Sequence, residues 1–243
     1  MNRFKLRSLA AVLSLCAAGA QAASIVDTFS DGAGLIQTDS APYVEAWLPS
    51  TEAPGGGRYL ANTIAAPAAQ SGKFMFAAVQ AGAYFTLADP AIPLYTNLTY
   101  GVANLLGQDL SLDLRSEAAF RLDFRYVSAP MSLTATVITA HGAGTFSSVA
   151  DFATALGASS GQTLLIPFSA FVNDAGNPSP VDWGDIDAIT FIVSGPGGAG
   201  FALDTFSTTQ VPEPASMGLL LAGLSLVGGR VYRATAARIE RAT

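Results

Sequence analysis

The sequence predicts an all-β fold with two packed sheets for residues 24–209. Short alternating or β-branched segments recur along this region, and glycine, proline, asparagine and serine separate them, while helical periodicity is almost absent. The chain has 243 residues, of which 50% are apolar and 12% are charged, so it can bury one sizeable core. A dozen short strands in one domain favour a sandwich of two sheets.

The predicted strands follow one another at short intervals. They are residues 25–30, 44–48, 57–61, 73–79, 83–87, 97–103, 109–114, 119–127, 132–140, 163–168, 188–193 and 200–206. Apolar and charged side chains alternate most clearly over residues 120–126, and residues 132–138 repeat the alternation, which predicts that these two segments pair. Residues 148–156 and 166–172 are the two segments that could hold a turn or two of helix.

Residues 1–23 have the three parts of a secretory signal peptide. A basic start with Arg3, Lys5 and Arg7 precedes an apolar stretch over residues 9–20, and small residues follow at the expected cleavage site. Cys16, the one cysteine of the sequence, lies inside this stretch. The exported domain therefore has neither a disulfide nor a thiolate for chemistry.

Charge differs sharply between the body and the C-terminal end. Residues 24–214 contain five basic and seventeen acidic residues, whereas residues 215–243 contain Arg230, Arg233, Arg238 and Arg241 against a single Glu240. A body with a net charge of −12 repels phosphate backbones and anionic lipids. We therefore expect no nucleic acid among its partners.

The C-terminal segment predicts a membrane anchor. Residues 210–214 form a linker with the motif Val211-Pro212-Glu213-Pro214, residues 215–232 a transmembrane helix, and residues 233–243 a basic cytoplasmic tail. At about 1.5 Å per residue, this helix reaches roughly 22–27 Å, which is enough with snorkelling arginines and local bilayer thinning. The arginines hold that end in the cytoplasm and leave the body outside the inner membrane. A buried C-terminal helix of a soluble domain is the alternative, but residues 218–227 have no polar stripe.

This order of Pro-Glu-Pro motif, apolar segment and arginine cluster resembles the PEP-CTERM sorting signal of Gram-negative bacteria. The resemblance implies that Pro212, Glu213 and Pro214 are recognised by an exosortase-like protease after export by the secretion machinery. It implies an inner-membrane anchor before processing, and a cell-surface or extracellular protein afterwards. One departure is the tail, which continues from Arg230 to Thr243, whereas the family usually stops soon after the basic cluster.

The body resembles galactose-binding-like jelly rolls, a fold shared by many carbohydrate-binding modules. The resemblance rests on residues 163–171, 181–189 and 201–206 as closing strands and on residues 25–29 as the first strand. It makes the predicted fold a two-sheet jelly-roll sandwich, and it implies one structural calcium between the first and last strands. Asp27 and Asp204 are the positions that match such a site; the alternative is that each carboxylate caps a strand end or a turn.

Catalytic residues are hard to assemble from this sequence. His141 is the only histidine and the exported domain has no cysteine, which removes Cys-His pairs and histidine or cysteine zinc sites. A glycosidase would need two facing carboxylates, and the acidic residues near Trp183 are explained more simply as turn formers. We therefore expect no enzyme.

The aromatic residues allow another function. Trp47, Tyr84, Tyr95, Tyr100 and Trp183 could stack on sugar rings if they were exposed together, or could belong to the core. The sequence thus predicts an exported, non-enzymatic sandwich protein of the cell envelope or extracellular matrix. A carbohydrate-binding module for exopolysaccharide and a glycan hydrolase are the alternatives.

Overall fold

Two antiparallel sheets enclose one apolar core. The computed structural model describes residues 25–38, 42–64, 72–101, 110–140, 146–172 and 181–210. The strands in these ranges are β1 (Val26–Asp27), β2 (Gly34–Thr38), β3 (Tyr43–Pro49), β4 (Gly57–Thr63), β5 (Met75–Gln80), β6 (Ala83–Ala88), β7 (Pro93–Gly101), β8 (Glu117–Val127), β9 (Met131–Ala140), β10 (Phe146–Leu156), β11 (Ser159–Pro167), β12 (Ala188–Gly197) and β13 (Gly200–Gln210). Pro54–Gly56 and Phe168–Ala170 are short 3₁₀ turns.

The chain crosses repeatedly from one sheet to the other. The first sheet has the order β11-β8-β13-β6-β5-β2, with β1 also paired to β13, and the second has the order β10-β9-β12-β7-β4-β3. The strand pairs in the described part of the chain are antiparallel. The predicted all-β class, a two-sheet jelly-roll sandwich, is confirmed.

The core lies between the sheets and is built from the inward residues of alternating strands. On β8, Phe120, Leu122 and Phe124 are buried, while Arg121 and Arg125 point outward. The Phe120 ring contacts aromatic rings from both sheets, with centroid distances of 6.2 Å to Phe191 of β12 and 5.6 Å to Phe206 of β13. The buried cluster that joins the two sheets lies wholly within residues 25–206, so Ala23–Thr209 is a compact unit with its own core.

Three sequence predictions about the strands are wrong. Residues 148–156 belong to strand β10 and not to a helix, since their serine, threonine and valine content suits the ladder that they form with β9. The predicted partners over 120–126 and 132–138 lie in different sheets: β8 pairs with β11, and β9 pairs with β10 and β12. The predicted strand over 109–114 is the third: its described residues, 110–114, contribute one isolated bridge, Leu112 to Ile186. In addition, strand β2 was not predicted.

The signal peptide and the C-terminal helix predicted for residues 1–23 and 215–232 lie outside the described residues. Among the residues that the structure does describe, there is no helix of the length and apolarity needed to cross a membrane.

Candidate functional site

The outer surface of the second sheet carries hydroxyl, amide and aromatic side chains, and we call it the polar face. Strand alternation places these side chains opposite the core residues Leu98, Leu133 and Phe191. Its described members that are exposed or half-buried include Tyr43 and Trp47 of β3, Thr63 of β4, Tyr95 and Asn97 of β7, Ser132 and Thr134 of β9, and Thr190 and Ser194 of β12. Short polar side chains, together with Ile192 between Asn97 and Thr134, thus cover the middle of the sheet, and larger rings stand beside them.

A groove lies at one end of the polar face, beside Tyr95. Strand register places Ser194 between Tyr95 and Ser132, and the two serine Oγ atoms are 2.7 Å apart. The Tyr95 ring is 40% exposed. The groove has a volume of about 670 Å³, and Thr63 and Pro130 are also among its lining residues. An exposed ring therefore stands next to a pair of hydroxyl groups that can both donate and accept hydrogen bonds.

A second group of aromatic residues lies on the same face at strands β3 and β4. The hydroxyl groups of Tyr43 and Tyr59 are 2.7 Å apart, and the Tyr43 side chain is 43% exposed. The Trp47 indole lies over Gly57, where a Cβ atom would be 2.3 Å from Cζ2 of Trp47. Glycine at position 57 is thus what allows the indole to lie flat on the strand.

Charge is sparse on the polar face. Its charged positions are Glu45 of β3 and, by strand register beside Thr136, Asp151 of β10. Burial, and then the neighbouring Glu45 carboxylate, raises the pKa of Tyr43 to about 12. The Tyr43 hydroxyl is therefore a neutral hydrogen-bonding group at ordinary pH.

The structure separates the five aromatic residues that the sequence singled out. Tyr84 and Tyr100 are buried in the core, and the Trp183 ring stacks on Phe168 with a centroid distance of 3.8 Å and an interplanar angle of 3°. Trp47 and Tyr95 alone among the five lie on the polar face.

Sequence reasoning missed Tyr43, Thr63, Ser132 and Ser194 as site residues. The available signal was the alternation of serine and threonine with apolar residues over 132–138, which marks a polar outer surface. That signal does not say which strands are neighbours, so the serine pair across β9 and β12 could not be seen before the register was known.

Asp27, the first predicted calcium ligand, is part of a buried ion pair between the sheets. Its Oδ2 atom accepts hydrogen bonds from Arg58 Nε (2.6 Å) and Tyr100 Oη (2.7 Å), and its Oδ1 atom from Arg58 Nη2 (2.5 Å) and the Phe29 amide (2.9 Å). Arg58 Nη1 also donates to the Asp31 carbonyl (2.8 Å). Asp27 and Arg58 are both fully buried.

Burial and contact with Asp27 together set the pKa values of Arg58 and Tyr100. Burial acts to lower the pKa of Arg58, but the Asp27 carboxylate outweighs burial and the pKa lies above its ordinary value. Burial, together with Asp27, raises the pKa of Tyr100 well above its ordinary value. The Arg58 guanidinium therefore stays protonated beside a neutral Tyr100 phenol.

Calcium binding at Asp27 would require this ion pair to rearrange. The four hydrogen bonds use the acceptor positions of the carboxylate, so a calcium ion would have to displace Arg58. Strand β1 does pair with β13, as the prediction requires, but Asp204 faces Arg125 at the surface, with Oδ1 2.7 Å from Nη2. Within the described ranges no group of three or more acidic, histidine or cysteine side chains could hold a metal ion. The calcium assignment stays a prediction.

The other predicted site residues lie outside the described part of the chain. They are the motif residues Val211, Pro212, Glu213 and Pro214 and the arginines Arg230, Arg233, Arg238 and Arg241; His141, to which the sequence assigned no catalytic role, also lies outside it.

Solved structures with a similar fold include sugar-binding domains. The family 11 carbohydrate-binding module from Clostridium thermocellum, in complex with a β-1,3-1,4-mixed-linked tetrasaccharide, is 15% identical, with a TM-score of 0.39 over 76% of this chain and 94% of that chain. The same module of the cellulosomal cellulase Lic26A-Cel5E is 14% identical, with a TM-score of 0.41 over 79% and 96%. An exo-β-agarase is 10% identical, with a TM-score of 0.41 over 79% of this chain and 26% of that chain. Such values carry no argument about ligand or activity.

No curated protein matches the sequence. The C-terminal segment, however, matches a family model described as the PEP-CTERM protein-sorting motif over residues 210–234. The match begins at the last residue of β13 and includes the Pro-Glu-Pro motif and the apolar segment. The chain therefore carries a PEP-CTERM sorting signal directly after a β-sandwich body.

Proposed function

We propose that this is an exported, non-enzymatic protein of the cell envelope or extracellular matrix that binds polysaccharide through its polar face. The observation that carries the proposal is the groove in which the exposed Tyr95 ring stands beside the Ser132–Ser194 hydroxyl pair. A sugar ring offers an apolar C–H face that stacks on an aromatic ring and hydroxyl groups that exchange hydrogen bonds with serine and threonine. The groove supplies both kinds of contact.

Charge favours a neutral polysaccharide over an anionic one. Each of the five basic residues of the body pairs with a carboxylate: Arg58 with Asp27, Lys73 with Asp89, Arg115 with Asp113, Arg121 with Asp123 and Arg125 with Asp204. None of these basic residues belongs to the polar face, where the charged positions, Glu45 and Asp151, are both acidic. A polymer rich in carboxylate or sulfate would meet an acidic surface without a matching cation.

A binding role also suits the carboxylates of this face better than hydrolysis. Glycoside hydrolysis generally uses two carboxyl groups about 5 to 10 Å apart, one of them a general acid. Glu45 lies on edge strand β3, and register places the other acidic position of this face, Asp151, on the opposite edge strand β10 beside Thr136. Five strand spacings of about 4.8 Å separate these two strands, which is too far for a pair of carboxyl groups to act on one glycosidic bond.

The test is binding of residues 24–210 to a panel of neutral and anionic polysaccharides by affinity electrophoresis and calorimetry. We expect Tyr95→Ala to weaken binding by roughly fivefold, because one stacking ring contributes on the order of 1 kcal/mol. Tyr126→Ala is the matched control, since Tyr126 is 38% exposed, against 40% for Tyr95, and lies on the first sheet. Equal loss in both variants, or binding to no polysaccharide, would contradict the proposal, and release of reducing ends would point to a hydrolase.

We also infer that an exosortase-like protease processes the chain at Pro212-Glu213-Pro214 after export and inner-membrane anchoring. Two prolines favour an extended segment, and Glu213 is its one charged group. In the native host, Glu213→Ala should leave the uncut form in the membrane fraction, while Glu240→Ala, a change beyond the motif, should not. Unchanged processing of the Glu213 variant would refute this role.

A further inference from the structure

The three strands at one end of the first sheet contain no charged residue. Strand β2 reads GLIQT, β5 reads MFAAVQ and β6 reads AYFTLA. They are consecutive neighbours in the sheet, and β2 is its terminal strand. In a body with a net charge of −12, these strands form a broad surface that has no charged side chain of its own.

The outward side chains of these strands form an apolar patch, defined by Leu35, Phe76, Phe85 and Leu87. Strand register places Leu35 beside Ala78 and Ala78 beside Phe85, while Phe76 lies beside Leu87. Leu35 is 62% exposed and Leu87 is 37% exposed. The Phe76 and Phe85 rings meet edge to face with centroids 6.0 Å apart. The apolar patch therefore extends to the edge strand β2, where Leu35 is the more exposed of its two leucines.

Strand β2 also presents an unprotected edge. It pairs with β5 on one side and has no second neighbour among the described strands. Edge strands are usually protected by proline, charge or a bulge, and β2 has none of these over Gly34–Thr38. The opposite edge of the same sheet, β11, ends in Pro167, and the edge strand β3 of the second sheet carries Glu45 and Pro49.

We propose that the body forms a two-fold dimer through the β2 edge and the adjacent apolar patch. A two-fold axis beside β2 pairs this strand with its own copy in antiparallel orientation, which adds backbone hydrogen bonds between the two chains and brings the two patches together. Leu35 of each copy is then buried against its partner. A second copy suits this surface because it supplies an equally uncharged strand and an equally apolar patch.

The dimer gives the protein two polysaccharide sites. This consequence rests on the proposed function, whereas the dimer itself does not. Because the polar face belongs to the other sheet, pairing at β2 leaves it accessible on both copies. A bivalent binder holds a long polymer more tightly than one site does, or joins two polymers.

The test is sedimentation velocity of residues 24–210 over roughly a hundredfold range of protein concentration. The range is needed because the fraction of a reversible dimer rises with protein concentration. We expect the wild type to shift from monomer to dimer and Leu35→Lys to remain a monomer. Leu165→Lys is the matched control, because Leu165 is a 53% exposed leucine on the opposite edge strand, and it should dimerise like the wild type. Circular dichroism checks that each variant is folded.

Cysteine cross-linking keeps the test decisive if Leu35→Lys does not fold. The exported body has no cysteine, so Leu35→Cys and Leu165→Cys each introduce a single thiol. Under mild oxidation, Leu35→Cys should form a covalent dimer and Leu165→Cys should not. A wild type that stays monomeric, or equal cross-linking of both variants, overturns the dimer, and neither result depends on polysaccharide binding.

Discussion

The buried pair of Arg58 and Asp27 should couple the two sheets energetically, and it can be tested by a double-mutant cycle. Asp27 lies on β1 of the first sheet, and Arg58 and Tyr100 lie on β4 and β7 of the second. Arg58→Met removes the cation but leaves a carboxylate in the core with the Tyr100 hydroxyl and the Phe29 amide as its remaining partners. An unpaired carboxylate at such a site is strongly disfavoured.

The magnitude follows from the complete burial of both side chains. Removing one partner of a buried ion pair typically costs about 3–5 kcal/mol, whereas replacing both by apolar residues of similar size is often close to neutral. The free energy of unfolding of a typical domain is about 5–15 kcal/mol, so either single substitution should remove a large part of it. We therefore expect the double variant Asp27→Leu, Arg58→Met to be more stable than either single variant.

Urea unfolding of residues 24–210 measures this coupling. The control cycle uses Arg121 and Asp123, an exposed pair on β8 with Nε 2.9 Å from Oδ2, whose coupling should be below about 1 kcal/mol. Additive losses in the buried cycle, with no coupling above that of the control, would refute the idea that Arg58 and Asp27 act as a unit.

Two further predictions concern titration and metal. The folded-state pKa of Tyr43 is raised from 10.0 to about 12, first by burial and then by Glu45, so its contribution to stability is fully present below pH 10 and is lost as the pH rises through about 12. The tyrosinate absorbance that the wild type has and the Tyr43→Phe variant lacks should therefore appear between pH 10 and about pH 12. If this absorbance difference were already complete at pH 10, the raised pKa of Tyr43 would be contradicted. Because Arg58 donates hydrogen bonds to both carboxylate oxygens of Asp27, a chelator should leave the melting temperature unchanged. A melting temperature that falls with chelator and recovers with calcium would instead support the calcium site.

Local composition predicted the strands better than their partners. Residues 119–127 alternate apolar and charged side chains, and the structure contains β8 there. Alternation has a period of two on any strand, so it cannot show that residues 132–138 pair with β10 and β12 instead of β8. Strand β2 was missed because its five residues are bounded by ordinary loop residues and gain their order from pairing with β5.

The candidate site was predictable only in part for the same reason. Trp47 and Tyr95 were singled out by residue type, but Tyr84 and Tyr100 have the same type and lie in the core. Arg58 is a charged residue in the buried strand β4, which is a weak sign of an ion pair. Its partner, Asp27, is 31 residues away in sequence, so the sequence alone does not identify the pair. Residue type identifies candidates, and register decides which of them share a surface.

Salt concentration should affect the two proposed interactions differently. The body carries a net charge of −12, its basic residues are already paired with carboxylates, and both proposed contact surfaces are nearly uncharged. Added salt screens the repulsion between two copies, since the Debye length falls from about 30 Å at 0.01 M to about 10 Å at 0.1 M, so dimerisation should strengthen. Binding of a neutral polysaccharide releases few counterions and should change little over the same range. Dimerisation that weakens with salt would mean that ion pairs, and not the β2 edge with its apolar patch, hold the copies together.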